Sequence, residues 1–277
     1  MATLTISRQV SSLGDEIAEI ASERLGYTLI DKNTIHDRII ALPDDFSIEM
    51  NSLETESQPG FFQRIFHHQA VYVNLISTIV YDAISKDNVV LKGRGGQFLL
   101  ADRDNVINAR IIAPLDFRAA LVQEKQSMED HVARDLIMQM DRDRDSFLRY
   151  LFGKNVKEPD WYDIIINTKK FKLESAVELL VNQAETISKT NPLSAELKDT
   201  YRALALKSLV EAVLQKRMPD SNYIKVNASS EGAVTISGYI ATHAEKEAAG
   251  AHAQTVTGVT SVTNQIHVAH FPVTTWP

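Results

Sequence analysis

Through residue 188 the chain alternates short apolar runs with amphipathic helical stretches, and this alternation narrows the fold more than any other feature. Strand patterns fall at residues 3–7, 27–30, 88–91, 106–113 and 161–166. Helical patterns fall at 14–25, 61–85, 117–125, 129–140 and 173–188. In the first helix Ile17, Ile20, Ala21 and Leu25 share one face. The run at 88–91 is short and apolar, as in a strand buried on both sides. Strand–helix alternation of this kind implies a parallel sheet covered by helices, and such sheets bind ligands at the carboxyl ends of their strands. The polar stretch 43–60, with Pro43, Pro59 and Gly60, reads as a mobile loop.

Beyond residue 188 the pattern changes. Asn191-Pro192 marks a linker over 188–194. A helix is predicted at 196–217. Two strands with period-two alternation come next, at 223–228 and 233–239, joined by the turn Ser229-Ser230-Glu231-Gly232. A helix at 243–254 and a strand at 259–268 complete an α-β-β-α-β order. At ~150 residues per domain, 277 residues suit two domains, here 1–190 (α/β) and 195–270 (α+β).

Charge is uneven. Lys and Arg number 29 and Asp and Glu 36, a net charge of −7. All of that excess lies before residue 193; from there on, basic and acidic residues balance at seven each. Neither half carries the basic footprint of a nucleic-acid binder. A local basic site can still sit within the acidic first domain. No cysteine is present, which excludes disulfides, iron–sulfur clusters and thiol catalysis. No run of 18 apolar residues predicts a transmembrane helix, and the N-terminus reads as a strand rather than a secretion signal. The expectation is a soluble, cytoplasmic protein. His243, His252, His267 and His270 show no spacing with carboxylates that predicts a metal site.

Three segments carry chemistry. Residues 7–17, from Ser7 to Ile17, sit where a strand hands over to a helix. Backbone N–H groups there can cradle phosphate, with Ser11, Ser12 and Gly14 as candidates. Read without that role, Ser11 or Ser12 is simply the helix N-cap. The second segment is Val89-Val-Leu-Lys-Gly-Arg-Gly-Gly96, in which Arg94 comes just after a buried strand and matches phosphate bidentately. The third is Asp141-Arg-Asp-Arg-Asp-Ser-Phe-Leu-Arg149. Its arginines 142, 144 and 149 could close over a polyphosphate, or else line a solvated helix face.

These segments, in this order, resemble the cytidylate kinase-like family of P-loop proteins over most of residues 3–188. Thr5-Ile-Ser-Arg8, Gly14 and Glu16-Ile-Ala18 match its opening signature. Gly26 through Asp31-Lys32 is similar to its next block, Gly93-Arg94 to its acceptor-phosphate pair, and Ala113-Pro-Leu-Asp-Phe-Arg118 and 162–168 to later blocks. The resemblance implies a P-loop kinase-like parallel sheet and transfer of phosphate from ATP, with Mg²⁺, to a nucleoside monophosphate such as CMP. It also implies roles. Gly93, Arg94 and Arg118 hold the acceptor phosphate, Asp31 lies by its sugar or base, and Arg144 and Arg149 stabilise the transferring charge by position and electrostatics. Arg8 is a catalytic candidate on a separate ground, as a stand-in for the P-loop lysine.

The P-loop departs from that pattern. An ungapped alignment puts Arg8 on the first glycine, Leu13 on the second, Gly14 on the lysine and Asp15 on the hydroxyl residue. Residues 198–268 resemble a BON domain, with Gly232, Gly238 and Gly258 at its turns and Gly238 expected to end a strand. Three functional readings are open: an attenuated kinase, a nucleotide-gated regulator without turnover, or an assembly protein forming homo-oligomers. In each the BON domain takes a small ligand or a protein partner.

Overall fold

A computed structural model of the protein describes residues 2–43, 46, 69–86, 88–219 and 223–269. Strand β1 (Thr3–Arg8) is buried along nearly its whole length. Leu4 and Ile6 face one side; Thr3, Thr5 and Ser7 face the other. A strand buried on both sides belongs at the centre of a sheet. β1 indeed lies in the middle of five parallel strands with β2 (Thr28–Ile30), β3 (Val89–Lys92), β4 (Val106–Ile112) and β5 (Ile164–Asn167), in the order β2-β3-β1-β4-β5. Ile6 pairs with Lys92 on β3, and Ser7 with Arg110 on β4. The carboxyl ends of the three central strands are therefore level, and the turns that leave them converge on one place.

Helices α1 (Gly14–Leu25) and α7 (Leu173–Thr190) cover one face. Ile17 and Ala21 from α1 and Val177 and Leu180 from α7 join Leu4 and Ile111 in one buried cluster. A smaller cluster of Val10, Ala119, Val122, Ala133 and Ile137 joins α5 (Leu115–Gln126) to α6 (Asp130–Phe152).

The strand and helix alternation holds, with local corrections. α2 (Lys32–Ile40) lies where no helix is predicted. Asp31 starts it, its carboxylate accepting from the Thr34 amide at 2.9 Å. The short helix α4 (Gly96–Leu99) is likewise unpredicted. α6 runs unbroken through the 141–149 charge run rather than stopping near 140. Trp161 belongs to a 3₁₀ turn (Pro159–Trp161) and not to the fifth strand, since Pro159 opens that turn. Residues 44–45, 47–60 and 61–68, which include most of the expected loop and the start of the expected 61–85 helix, fall outside the described residues, as does His270; α3 (Gln69–Lys86) is the described part of that helix.

By its contacts the chain divides into two compact units. Of the described residues, the first holds 2–37, 86 and 88–194, and the second 38–43, 46, 69–85, 195–219 and 223–269. The second unit contains α8 (Ala195–Arg217), β6 (Ile224–Ala228), β7 (Ala233–Ile240), α9 (His243–Gln254) and β8 (Ser261–Val268), the α-β-β-α-β order. β7 pairs antiparallel with β6 and parallel with β8. Gly238 lies inside β7 opposite Ile224, not at the strand's end. α3 belongs with this unit: Asn74 donates to Gln215 at 3.1 Å, and the Tyr81 and Tyr201 rings stack at 6.0 Å. Among the described residues, no helix is long and apolar enough to cross a membrane.

Candidate functional site

A cavity of about 170 Å³ opens where β1, β3 and β4 end. Its walls are Ser7 and Arg8 from the end of β1 with Gln9 just after them, Lys92 from the end of β3 with Gly93 to Gly95 from the turn behind it, and Arg110 from β4. α6 and the segment behind it close it with Asp141, Arg144, Phe147 and Lys157. Lys32 reaches it from the start of α2. Seven cationic side chains therefore line it against two carboxylates, Asp141 and Asp145, in a chain with net charge −7. The chemistry it offers is capture of an anion.

The turn after β3 is shaped for close approach. Gly93, Arg94 and Gly95 hold φ of 79°, 54° and 73°. The Gly93 amide donates to the Ile6 carbonyl at 3.0 Å, which ties the turn to β1. A Cβ on Gly93 would lie 2.5 Å from Arg8 Nη1, so only glycine lets Arg8 lie against the turn. The Arg94 guanidinium lies over the Phe147 ring at 5.3 Å.

Arg8 is not free to swing. Its Nε and Nη2 donate to Asp15 Oδ1 at 3.0 and 2.8 Å. Lys92 donates to Glu19 at 3.0 Å and lies 3.8 Å from both Asp15 and Asp31. Burial works to raise the Asp15 pKa. The charge and hydrogen bonds of Arg8, with Arg144 and Lys92, outweigh it and hold the carboxyl below its ordinary range. At Asp31 burial is likewise outweighed, here by hydrogen bonds from Thr34 and the Lys92 charge, and the pKa again falls.

The predicted residues divide between two places. Arg8, Gly93, Arg94 and Arg144 meet at the cavity. Ser11, Ser12, Gly14, Asp31, Arg118 and Arg149 do not line it. Ser12 is buried, and its hydroxyl donates to the carbonyls of Gln9 at 2.9 Å and Ile111 at 3.2 Å, so it braces the loop from within. Ser11 and Leu13 hold φ of 56° and 62°. Gly14 packs α1 on β1; a Cβ there would lie 2.4 Å from Arg8 Cβ. Asp31 caps α2. Arg118 is buried and donates to the Ala113 and Val10 carbonyls at 3.0 Å each and to Asp141 at 2.7 Å. Its work is to clamp α5, the loop after β1 and α6 together. Arg149 is exposed near the end of α6, where its carbonyl accepts from Gly153.

Lys92, Arg110 and Lys157 line the cavity and are not singled out by the motifs. The signal for Arg110 is in the sequence: an arginine among the apolar residues Val106, Ile107, Ala109, Ile111 and Ile112 of the fourth predicted strand has to have a reason.

Comparison with known proteins adds the family context. The model of the cytidylate kinase-like family matches residues 3–170, and that of the BON domain matches 205–270. A cytidylate kinase of Methanobrevibacter smithii is 30% identical over 173 residues, which cover 61% of this chain and 91% of that protein. A cytidylate kinase of Methanothermobacter thermautotrophicus is 25% identical over 161 residues, 58% of this chain and 91% of that protein. Among solved structures, an uncharacterized protein from Eubacterium ventriosum matches with a TM-score of 0.49 and 19% identity, covering 67% of this chain and 98% of that one.

Proposed function

The chain belongs to the cytidylate kinase-like family and carries a BON domain behind the matched region, and on that premise we propose that its first unit binds a nucleoside monophosphate of the CMP kind, with phosphoryl transfer from ATP strongly attenuated. The observation that carries this reading is the cation-lined cavity at the ends of β1, β3 and β4, the place where an open parallel sheet binds its ligand. Arg94 and Lys92 on the β3 turn, with Arg144 from α6, would hold the phosphate of the monophosphate. α6 would act as the cover that keeps water from it.

The donor side argues for attenuation. In a working P-loop a lysine meets the outer phosphates and a hydroxyl helps hold magnesium. Here Gly14 and Asp15 stand at those positions. Asp15 opens α1 with negative charge, held between Arg8 at 2.8 Å and Lys92 at 3.8 Å. A carboxylate already neutralised by two cations is a poor ligand for magnesium, so these residues do not fit the ion. The same charge repels a polyphosphate. Loss of one preorganised stabiliser of developing charge costs about 3 kcal/mol, or ~10²–10³ in rate, and here at least two are missing.

The Arg8–Asp15 pair also favours a second reading, in which nucleotide occupancy rather than turnover is the output. The BON unit would then take a small ligand or protein partner of its own. Thermal melting with CMP and with ATP plus Mg²⁺, beside a coupled kinase assay, tests both. CMP at 100-fold excess over its dissociation constant should stabilise by about 2.7 kcal/mol. Arg94→Ala should remove that shift, and ATP should give little. Turnover at ordinary kinase rates contradicts attenuation; melting indifferent to every nucleotide contradicts the nucleotide reading.

A further inference from the structure

Arg110 carries a buried charge with no counter-ion among the described residues. It stands in β4 opposite Ser7 and is 7% exposed. Its Nη1 donates to the Val156 carbonyl at 2.7 Å, the Tyr162 hydroxyl at 3.0 Å and Ser7 Oγ at 3.3 Å, and its guanidinium lies 5.3 Å from the Tyr162 ring centroid. Every one of these partners is neutral. Among the described residues no carboxylate reaches it, and its Nε and Nη2 make no hydrogen bond. The two acids on the cavity wall are engaged elsewhere. Asp141 accepts from Arg118 and from the Val10 amide, and Asp145 pairs with Lys157 at 2.8 Å. By contrast Arg8, Lys92 and Lys157 each have a carboxylate partner.

A charge taken out of water is retained only where something compensates it. Arg110 lines the cavity, so the cavity is where that compensation can arrive. We propose that Arg110 is the anchor for the ligand's phosphoryl group, its unused Nε and Nη2 donors taking two phosphate oxygens while Nη1 stays fixed by Val156, Tyr162 and Ser7. A fork held on one side by the protein is pre-set for a tetrahedral oxyanion on the other. The proposal rests on the reading that the cavity is the nucleotide site, and it adds the residue that distinguishes a phosphomonoester from its nucleoside.

Calorimetric titration of the full chain, wild type beside Arg110→Met and Arg110→Lys, with CMP, cytidine and inorganic phosphate as probes, tests it. Hydrogen bonds to a charged group contribute about 1.5–3 kcal/mol, so Arg110→Met should bind CMP about 10- to 100-fold more weakly. Its preference for CMP over cytidine should fall by the same factor, which general damage to the cavity would not produce. Arg110→Lys keeps the charge and loses the fork, and should recover only part of the affinity. Wild-type CMP affinity in Arg110→Met or, should that variant not fold, in Arg110→Lys overturns the proposal. Equal weakening for CMP and cytidine overturns it too. Arg110-dependent binding of inorganic phosphate without binding of CMP leaves the anchor standing and removes the nucleotide reading. Binding of neither probe by the wild type removes both.

Discussion

Ser11 and Leu13 sit in the left-handed region that favours glycine, at about 1–2 kcal/mol each. Leu13 is also the residue that the ungapped alignment sets on the second glycine of the P-loop pattern. The strand and helix on either side dictate the backbone path, and the side chains are carried along it. That is why the sequence points to Ser12 as a phosphate ligand while the fold turns its hydroxyl onto two carbonyls. Side-chain direction in such a loop depends on backbone handedness, which composition does not reveal. The place of Arg94 at the cavity is legible because the apolar run 89–91 is followed within three residues by a glycine and then the arginine. Arg118 misleads because a buried arginine that clamps elements and one that holds a ligand look alike in a motif. Asp15 gives the test at this scale. Its carboxyl lies below its ordinary value of 3.8 in the folded chain. Such a group adds stability that is complete above the unfolded value and is lost as pH falls through the folded one. Wild type should therefore melt above Asp15→Asn at pH 7, and the gap should close as pH drops below about 4. A gap independent of pH contradicts an ionic Arg8–Asp15 pair.

At the scale of elements, strongly periodic segments are the legible ones. α1 and α9 stand at the predicted residues, and the central strands within a residue or two. α2 escapes because only Ile35 and Ile39 are buried on it, and nine residues with two apolar contacts give little period to read. The continuity of α6 through Arg142, Arg144 and Arg149 escapes because a charge run shows no clear apolar stripe, although Phe147 within it and Leu151 just beyond it are buried. α9 shows how local chemistry fixes a boundary. The Thr242 hydroxyl accepts from the Glu245 amide, and the Glu245 carboxylate accepts from the Thr242 amide at 2.9 Å. Thr242→Ala should lower the stability of the second unit by about 1 kcal/mol, read from chemical denaturation of the full chain. An unchanged midpoint means that α9 is held by packing alone.

On the scale of the whole molecule, the grouping of α3 is what linear reading does not give. Its strand neighbours in sequence belong to the first unit, yet α3 groups with α8. Leu75, Ile76, Val80 and Ile84 are fully buried, so its surroundings leave it no solvent face on that side. A chain ended at residue 192 removes Tyr201 and Gln215 from α3. The truncated protein should aggregate or elute as large assemblies on size exclusion, since an exposed apolar helix of this length seeks a partner. A well-behaved monomer that melts like the full chain contradicts that.

Charge is also arranged at this scale. A net −7 chain keeps seven cations around one cavity, and that concentration is the basis for reading the first unit as an anion site. The most direct measurement is calorimetric titration of the intact protein with CMP at low and at high salt. The account predicts saturable binding at one site per chain, weaker in high salt and abolished by Arg94→Ala. Absence of binding at millimolar CMP, or binding untouched by that substitution, contradicts it.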